Sequence, residues 1–398
     1  IAQWMEGEKG TSVQDYTSYI RFFVLILVLD GLSVIPFAKV RAEGRPLRYG
    51  AIKIINILTF VTFNLFFLLA IPKILENGGQ LVSYFSWYRE DWVGYVFLSN
   101  LLASGITLLL LIPELRKLQL QADWSFIKGM IVYSFPIFVA NLSFIINENL
   151  DKIFLKELLP AGVGEEQVGI YSACAKIAIF LSIFINAFRL GAEPFFFSHQ
   201  KNKNSGETYA SIMNYFVIAI SIIFVGLVAN IEVLKHFISG DTAKETDLYW
   251  SGLKVVPILL FGYVSLGIYI NLSIWYKLSD QTRYGLYISG IGAIVTIVMN
   301  ILFIPKYGYI ASAWVSLAAY SSMMVISYIL GQKNYPIPYD LKKICSYLII
   351  SIFLVVLCFE VFNRNLIAGN SILLLFIAGA SIVERKNLKA IFNANQNR

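Results

Sequence analysis

The segment Val168–Gln200, VGIYSACAKIAIFLSIFINAFRLGAEPFFFSHQ, begins with an apolar stretch long enough to cross a bilayer, and a lysine lies inside that stretch. Lys176 is about nine residues in, and a helical rise of ~1.5 Å per residue places its ammonium roughly 13 Å deep in a hydrocarbon core of ~30 Å. A charge at this depth costs at least ~2.5 kcal/mol on insertion scales, so it normally faces a bundle interior or a wet cavity. The segment therefore predicts a membrane helix with a cation that faces other helices or a cavity.

One face of this predicted helix carries a polar stripe. Its members are Ser182, Asn186, Arg189 and Glu193, at positions i, i+4, i+7 and i+11, and Lys176 lies at the edge of the same stripe. Because the stripe runs along the helix, it favours a transport pathway for an anionic molecule. The alternative is a lysine that snorkels or pairs inside the bundle and only fixes packing.

The composition of the whole chain indicates an integral membrane protein. Of its 398 residues 57% are hydrophobic and only 14% are charged, and the mean hydropathy is +0.67, whereas a soluble domain carries about 25% charged residues. Apolar segments of spanning length occur eleven times, so the predicted fold class is an all-α polytopic membrane protein. The predicted spans are residues 17–38, 50–71, 93–112, 129–149, 168–190, 210–231, 251–271, 285–304, 309–330, 342–359 and 366–383.

The connectors between the predicted spans alternate in charge. One set holds 20 Lys/Arg against 8 Asp/Glu, and the opposite set holds 9 against 16. The basic set is cytoplasmic by the positive-inside rule, which places the C-terminus inside and Ile1 outside. Because Ile1 is not an initiator methionine and no signal peptide follows it, we expect the chain to begin after earlier transmembrane helices.

A second polar stripe lies in the span MIVYSFPIFVANLSFIINENLDK. Its members are Ser134, Asn141 and Glu148, seven residues apart, with Lys152 four residues further on, and Asn147, Asn149 and Asp151 flank its outer end. Spacings of seven and four keep side chains on one helical face. A polar helix end anchored at the interface would explain Asp151 and Lys152, but Ser134 and Asn141 are deeper. The stripe therefore supports a polar pathway.

Asp30 is a deep acid, about 13 residues into the first predicted span. It is either a counter-ion for a base such as Lys176 or Arg21, or a site for H+ or Na+. A role as a structural or coupling partner is slightly favoured over direct substrate contact. Asp151 and Glu193 are two further candidate coupling or charge partners.

The sequence contains none of the common motifs for nucleotide binding, metal-dependent proteolysis or serine-type hydrolysis. It contains no P-loop, dinucleotide-binding turn, HExxH or nucleophile elbow, and Cys174, Cys345 and Cys358 are scattered over apolar spans. His199 and His236 fall on opposite sides of the predicted membrane, so they cannot share a metal. We therefore expect no enzyme activity, cofactor, metal site or nucleic-acid partner, and transport that is passive or driven by H+ or Na+.

Three passages carry a family resemblance, and they occur in the family's order. They are RAEGRPLRYGAIKI (Arg41–Ile54), LDKIFLKELLPAGVGEEQVGIYSACAKIA (Leu150–Ala178) followed by GAEPFFFSHQ, and the segment Tyr276–Tyr320 with its Asn300 and its IPKYGYIASAW hairpin. The chain resembles the bacterial polysaccharide-biosynthesis proteins of the O-antigen flippase type, which flip lipid-linked oligosaccharides. These proteins belong to the MATE-like multidrug/oligosaccharidyl-lipid/polysaccharide exporter superfamily.

The resemblance implies a fold of up to fourteen helices in two six-helix lobes plus two C-terminal helices, in the bacterial inner membrane. The first three helices would be absent here. The implied domains are residues 1–112 for the rest of the N-terminal lobe, 113–128 for a cytoplasmic linker, 129–330 for the C-terminal lobe, and 331–398 for two extra helices and a cytoplasmic tail.

The resemblance also implies alternating access for a carrier isoprenoid diphosphate with its sugar head. Lys176 and Arg189 would attract the diphosphate, and Glu148 belongs to the same expected substrate-binding set. The side chains expected to hydrogen-bond sugar hydroxyls are Asn141, Asn147, Asn149, Ser182 and Asn186. A cation-coupled multidrug exporter of the same superfamily is the alternative function, and it would favour acidic and aromatic cavity residues.

Overall fold

The computed structural model describes residues 13–77, 84–90, 92–116, 123–240 and 242–385, except for the side chains of residues 143, 144, 146 and 147. The regular elements within these ranges are helices. The α-helices are α1 (Val13–Ala42), α2 (Pro46–Leu65), α3 (Ile71–Asn77), α4 (Gly94–Leu115), α5 (Trp124–Leu158), α6 (Val163–His199), α7 (Ser205–Ala229), α8 (Ile231–Leu234), α9 (Ala243–Ser251), α10 (Val256–Leu272), α11 (Ile274–Leu278), α12 (Arg283–Tyr307), α13 (Tyr309–Asn334), α14 (Leu341–Val356) and α15 (Leu366–Val383). Single π-helical turns, Phe66–Ala70 and Leu357–Val361, continue α2 and α14.

Eleven helical stretches among the described residues are long and apolar enough to cross a membrane. This number and the all-helical class confirm the prediction from the sequence. The structure extends α5 and α6 well beyond the predicted spans 129–149 and 168–190, because their polar ends remain helical. Pro136 and Pro194 lie inside these two helices without ending them, since neighbouring groups in a membrane protein can satisfy a freed backbone carbonyl.

The chain divides into two compact units, residues 1–122 and 123–398. In the first unit, α1 and α2 pack against α4. A buried carboxylate, Asp15, accepts hydrogen bonds from Arg89 Nη1 at 2.7 Å and from Trp92 Nε1 at 2.9 Å. Another buried carboxylate, Glu114 on α4, accepts from Arg48 Nη2 at 2.8 Å. Because burying an unpaired carboxylate is costly, the first contact fixes the segment with Arg89 and Trp92 to α1, and the second fixes α2 to α4.

Eight of the spanning helices belong to the second unit, of which α14 and α15 pack on α7. The other six are α5, α6, α7, α10, α12 and α13. Its core is formed by fully buried aliphatic side chains such as Ile177, Leu181 and Ile220. Gly267 on α10 lies so close to Phe216 that a Cβ there would approach the ring to 2.9 Å. Small residues of this kind allow membrane helices to approach closely. The division between the two units falls between residues 122 and 123. The domain boundaries and the linker that the family resemblance implies stay predictions.

A tight turn at Gly308 joins α12 to α13. Gly308 has φ +56°, a conformation that disfavours side chains with a Cβ. The Oε1 atom of Gln167, on α6, accepts a hydrogen bond of 2.9 Å from the backbone N–H of Tyr309. This side chain satisfies one of the free N–H groups at the start of α13, so α6 helps to position the α12–α13 pair.

Candidate functional site

Asp151 is a buried carboxylate in the second unit. It lies on α5, is 2% exposed and accepts three hydrogen bonds from three other helices. Asn300 Nδ2 of α12 donates to Oδ1 at 2.7 Å, and Tyr171 OH of α6 and Ser316 Oγ of α13 donate to Oδ2 at 2.7 and 2.6 Å. Asp151 therefore joins four helices through one carboxylate.

The donors around Asp151 are neutral. Within the part of this unit that the structure describes, no basic side chain lies within 4 Å of its carboxylate. A buried carboxylate is tolerated when hydrogen bonds satisfy its oxygens, and hydrogen bonds to a charged acceptor are stronger than neutral ones. The Oδ1 atom of Asn300 is buried and has no hydrogen-bond partner among the described residues. A further oxygen ligand is thus available beside the carboxylate.

A cavity of about 300 Å³ adjoins Asp151. This volume is at the lower end of the ~300–1,000 Å³ typical of small-molecule sites. Four helices, α5, α6, α10 and α13, contribute to its wall. The lining residues are Glu148, Asp151, Lys152, Tyr171, Ser172, Ala175, Lys176, Ile179, Leu259, Tyr263, Ser316 and Tyr320.

Charged side chains of both signs line this cavity. Lys152 is half-buried, and Glu148 and Lys176 are exposed. Tyr263 OH donates a hydrogen bond of 3.1 Å to Glu148 Oε1. Among the described residues of the second unit, none of these three charges forms an ion pair within 4 Å. Two ammonium groups and a carboxylate are therefore available to a ligand.

Arg189 and Glu193 lie elsewhere on α6. Both line a crevice of about 10 Å³, and Glu193 forms an ion pair with Lys277 of α11. Arg189 is thirteen residues from Lys176 on the same helix, which corresponds to ~20 Å along its axis. The polar stripe predicted on α6 is therefore divided between two sites: Lys176 lines the cavity at Asp151, and Arg189 and Glu193 line the crevice at Lys277.

Most of the predicted sugar-binding side chains do not line the cavity. Ser182 is half-buried, and Asn141 and Asn186 are exposed. Asn149 donates to the carbonyl of Ile145 on its own helix at 2.8 Å. The side chain of Asn147 lies outside the described residues. Asp30 is exposed on α1 of the first unit, and no described residue of that unit forms an ion pair with it.

Five further side chains with hydroxyl or amide groups belong to the site, and the sequence alone does not assign them to it. They are Tyr171, Tyr263, Asn300, Ser316 and Tyr320. Ser316 and Tyr320 are four residues apart on α13 and share a face, so their spacing was a usable signal. Tyr263 and Asn300 stand alone in apolar segments, where a polar side chain indicates a partner but does not identify it.

Comparison with known proteins agrees with this architecture. The MatE family model matches residues 136–302, which include α6, α7, α10 and most of α5 and α12. No curated protein sequence is significantly similar to the chain.

Solved structures of transporters resemble most of the chain. A crystal structure of MATE in complex with MaL6 has a TM-score of 0.66 at 12% identity, and the similarity covers 86% of this chain and 72% of that one. For a mutant of the Vibrio cholerae MATE transporter VcmN, the TM-score is 0.63 at 13% identity, with coverage of 79% and 68%. The lipid II flippase MurJ, in an inward closed conformation, gives 0.53 at 15% identity, with coverage of 96% and 86%. The chain is therefore a multi-pass membrane protein with a MATE-like transporter fold.

Proposed function

We propose that this chain is a flippase that moves a lipid-linked oligosaccharide from the inner to the outer leaflet of a bacterial cytoplasmic membrane. The observation that carries the proposal is the pair Lys152 and Lys176, which line one cavity without a carboxylate partner within 4 Å among the described residues. The isoprenoid diphosphate carrier has negative charge on its phosphates and hydroxyls on its sugars. The cavity offers ammonium groups to the phosphates and hydroxyl groups to the sugars.

Electrostatics favours a phosphate at the lysine pair. Two opposite unit charges 4 Å apart attract by about 4 kcal/mol at an effective dielectric constant of 20, but by only about 1 kcal/mol in bulk water. Lys152 and Lys176 extend from neighbouring helices, α5 and α6, so both can approach one phosphate. Arg189 is not assigned to this contact, because it lines the separate crevice at Lys277.

The transport cycle would be alternating access, with rearrangement of packed helices exposing the cavity to each side in turn. The C-terminus would lie in the cytoplasm, as the connector charges predict. Asp151 is the proposed coupling residue, because its carboxylate borders the cavity. Binding of H+ or Na+ to this carboxylate would replace hydrogen bonds from its neutral donors. Asp151→Asn should then preserve folding and abolish any dependence of transport on the ion gradient.

A cation-coupled multidrug exporter is the second candidate function. Glu148 and the tyrosine rings of the cavity are groups that bind lipophilic cations, and two of the similar structures are MATE proteins. The similarity of the fold alone does not separate the two functions. The unpaired lysines oppose a purely cationic substrate by like-charge repulsion, so we place the flippase first.

Reconstitution in liposomes tests the proposal. The full-length protein is incorporated with a fluorescent isoprenoid-diphosphate sugar, and the fraction accessible to an external membrane-impermeant quencher is measured over time. We expect protein-dependent exchange between leaflets, which Lys176→Gln abolishes. Lys156→Gln is the matched control, because Lys156 is exposed on α5 and does not line the cavity.

Two results would contradict the proposal. One is exchange that persists unchanged in Lys152→Gln and Lys176→Gln. The other is no exchange by a correctly folded protein that does export a cationic dye from cells; this result would favour the multidrug exporter.

A further inference from the structure

Glu148 is the cavity residue that transport of an anionic head group does not explain. Its carboxylate lines the same cavity as Lys152 and Lys176, and it would repel a phosphate bound there. Tyr263 OH holds Oε1 in place, whereas Oε2 has no hydrogen-bond partner among the described residues. The cavity therefore presents one oriented carboxylate oxygen to a ligand.

Asp151 does not offer the same opportunity. Its two oxygens already accept hydrogen bonds from Asn300, Tyr171 and Ser316. Glu148 is thus the carboxylate of this cavity with one oxygen that accepts no hydrogen bond from a described residue. Aromatic side chains lie in the same cavity, because Tyr263 contacts Glu148 directly and Tyr171 and Tyr320 are further lining residues. A carboxylate beside aromatic rings is the usual surrounding of a bound ammonium group.

An internal ion pair would be the simplest structural role for Glu148. Lys152 lies four residues further along α5, a spacing that permits a Glu–Lys pair on one helical face. In the described second unit, however, the two side chains are not within 4 Å of each other, and Glu148 is bonded to Tyr263 of α10 instead. The carboxylate and the two ammonium groups are presented to the cavity separately.

The charges of the described residues that line the cavity balance to zero. Glu148 and Asp151 carry two negative charges, and Lys152 and Lys176 carry two positive charges. A purely anionic head group gains attraction from the lysines and loses part of it to the carboxylates. A head group that carries both a positive and a negative charge is attracted by the carboxylates and by the lysines, if each of its charges lies next to the cavity residues of opposite sign.

We propose that the cavity selects a zwitterionic head group, in which the sugar next to the phosphates carries a free, protonated amine. Glu148 and Tyr263 bind the ammonium, and Lys152 and Lys176 bind the phosphate. The volume of about 300 Å³ suits one such sugar with the adjoining phosphate. This inference rests on the proposed flippase function and names the substrate class of the same site.

A pair of substrates that differ only at one nitrogen tests the inference. Synthetic isoprenoid diphosphates carrying glucosamine or N-acetylglucosamine are compared in the liposome assay, at a pH where the amine is protonated. We expect the wild-type protein to flip the free-amine substrate at least about tenfold faster, the order of magnitude expected for a desolvated charge contact. Glu148→Gln should remove that preference by slowing the amine substrate, while the rate for the acetylated substrate is unchanged or higher.

Glu157→Gln is the matched control, since Glu157 is an exposed acid of α5 that does not line the cavity. Tyr263→Phe should reduce the preference partly, because it frees the carboxylate without removing its charge. Equal rates for the two substrates in the wild-type protein, or equal slowing of both by Glu148→Gln, would overturn the inference and leave the flippase function standing. Failure of the folded protein to flip either substrate would overturn both.

Discussion

Asn300 Nδ2 donates a hydrogen bond of 2.7 Å to Asp151 Oδ1, and this contact joins α12 to α5 across 149 positions of the chain. The same carboxylate binds α6 and α13 through Tyr171 and Ser316. A single carboxylate thus fixes the relative positions of α5, α6, α12 and α13, three of which also form part of the cavity wall. Any change in the protonation or ligation of Asp151 would be felt by all four helices at once, which makes it suited to couple an ion to a conformational change.

Replacing Asp151 by alanine should destabilise the protein strongly. The change leaves the buried Asn300 amide without its acceptor, and it leaves the Tyr171 and Ser316 hydroxyls, 3.2 Å apart, with only each other as partners. Each donor left without an acceptor costs about 1–3 kcal/mol. We expect a total loss of about 3 kcal/mol or more, measured as a lower free energy of unfolding of the purified protein in detergent micelles. Ser316→Ala removes one donor only, so its effect should be about 1 kcal/mol. Equal effects of the two substitutions would contradict the central role of the carboxylate.

Gly308 should not tolerate alanine. Its φ of +56° is strained for residues with a Cβ, and the added atom would lie 2.5 Å from Gln167 Oε1, so we expect a loss of about 1–3 kcal/mol. Gly290 is the control, because it lies within α12 and, beyond the local backbone of that helix, no described atom lies within 4 Å of the position of its missing Cβ. Gly290→Ala should be neutral or stabilising by up to about 1 kcal/mol. The two variants can be compared by their thermal unfolding midpoints, and a neutral Gly308→Ala would refute the argument.

The number and class of the helices could be predicted from the sequence, because a bilayer requires long apolar segments and these are visible without any tertiary information. The ends of α5 and α6 could not, since the polar residues that mark a membrane boundary do not stop a helix. Periodicity also placed Glu148 and Lys152 on one face of α5, and both line the cavity.

The residues of other helices that contact the acids of α5 could not be predicted from the sequence. The stripe on α6 groups Lys176 with Arg189 because both lie near one face, yet a helix of thirty-seven residues is ~55 Å long and exposes one face to several different neighbours. Only the packing of α10, α12 and α13 shows that Tyr263, Asn300 and Ser316 meet the acids of α5. Which helices are neighbours is set by the whole bundle, and single-helix patterns do not contain that information.

The ion pair between Glu193 and Lys277 should stabilise the short helix α11 against α6. Two further contacts hold the same turn: Tyr133 OH donates to the carbonyl of Lys277 at 3.2 Å, and Gln200 Nε2 donates to that of Leu278 at 2.7 Å. Both charged side chains are partly exposed, so we expect each neutralising substitution, Glu193→Gln or Lys277→Gln, to cost only about 0.5–1 kcal/mol.

A double-mutant cycle separates the pair from its surroundings. The charge-swapped variant Glu193→Lys with Lys277→Glu should regain part of the stability that either single reversal loses, because the pair can re-form with opposite polarity. Unfolding midpoints of the four proteins in detergent supply the cycle. Strictly additive losses would show that the two side chains act independently.

Cys345 gives direct access to the topology that the connector charges predict. It is an exposed cysteine one turn into α14, whereas Cys174 and Cys358 are buried. If the basic connector 333–343 is cytoplasmic, a membrane-impermeant maleimide should label intact cells poorly at Cys345 and label it well after permeabilisation. In a Cys345→Ala background, Asn363→Cys at the opposite end of the same spanning helix should react in intact cells. Reaction of Cys345 from outside would invert the assigned orientation, and with it the direction proposed for transport.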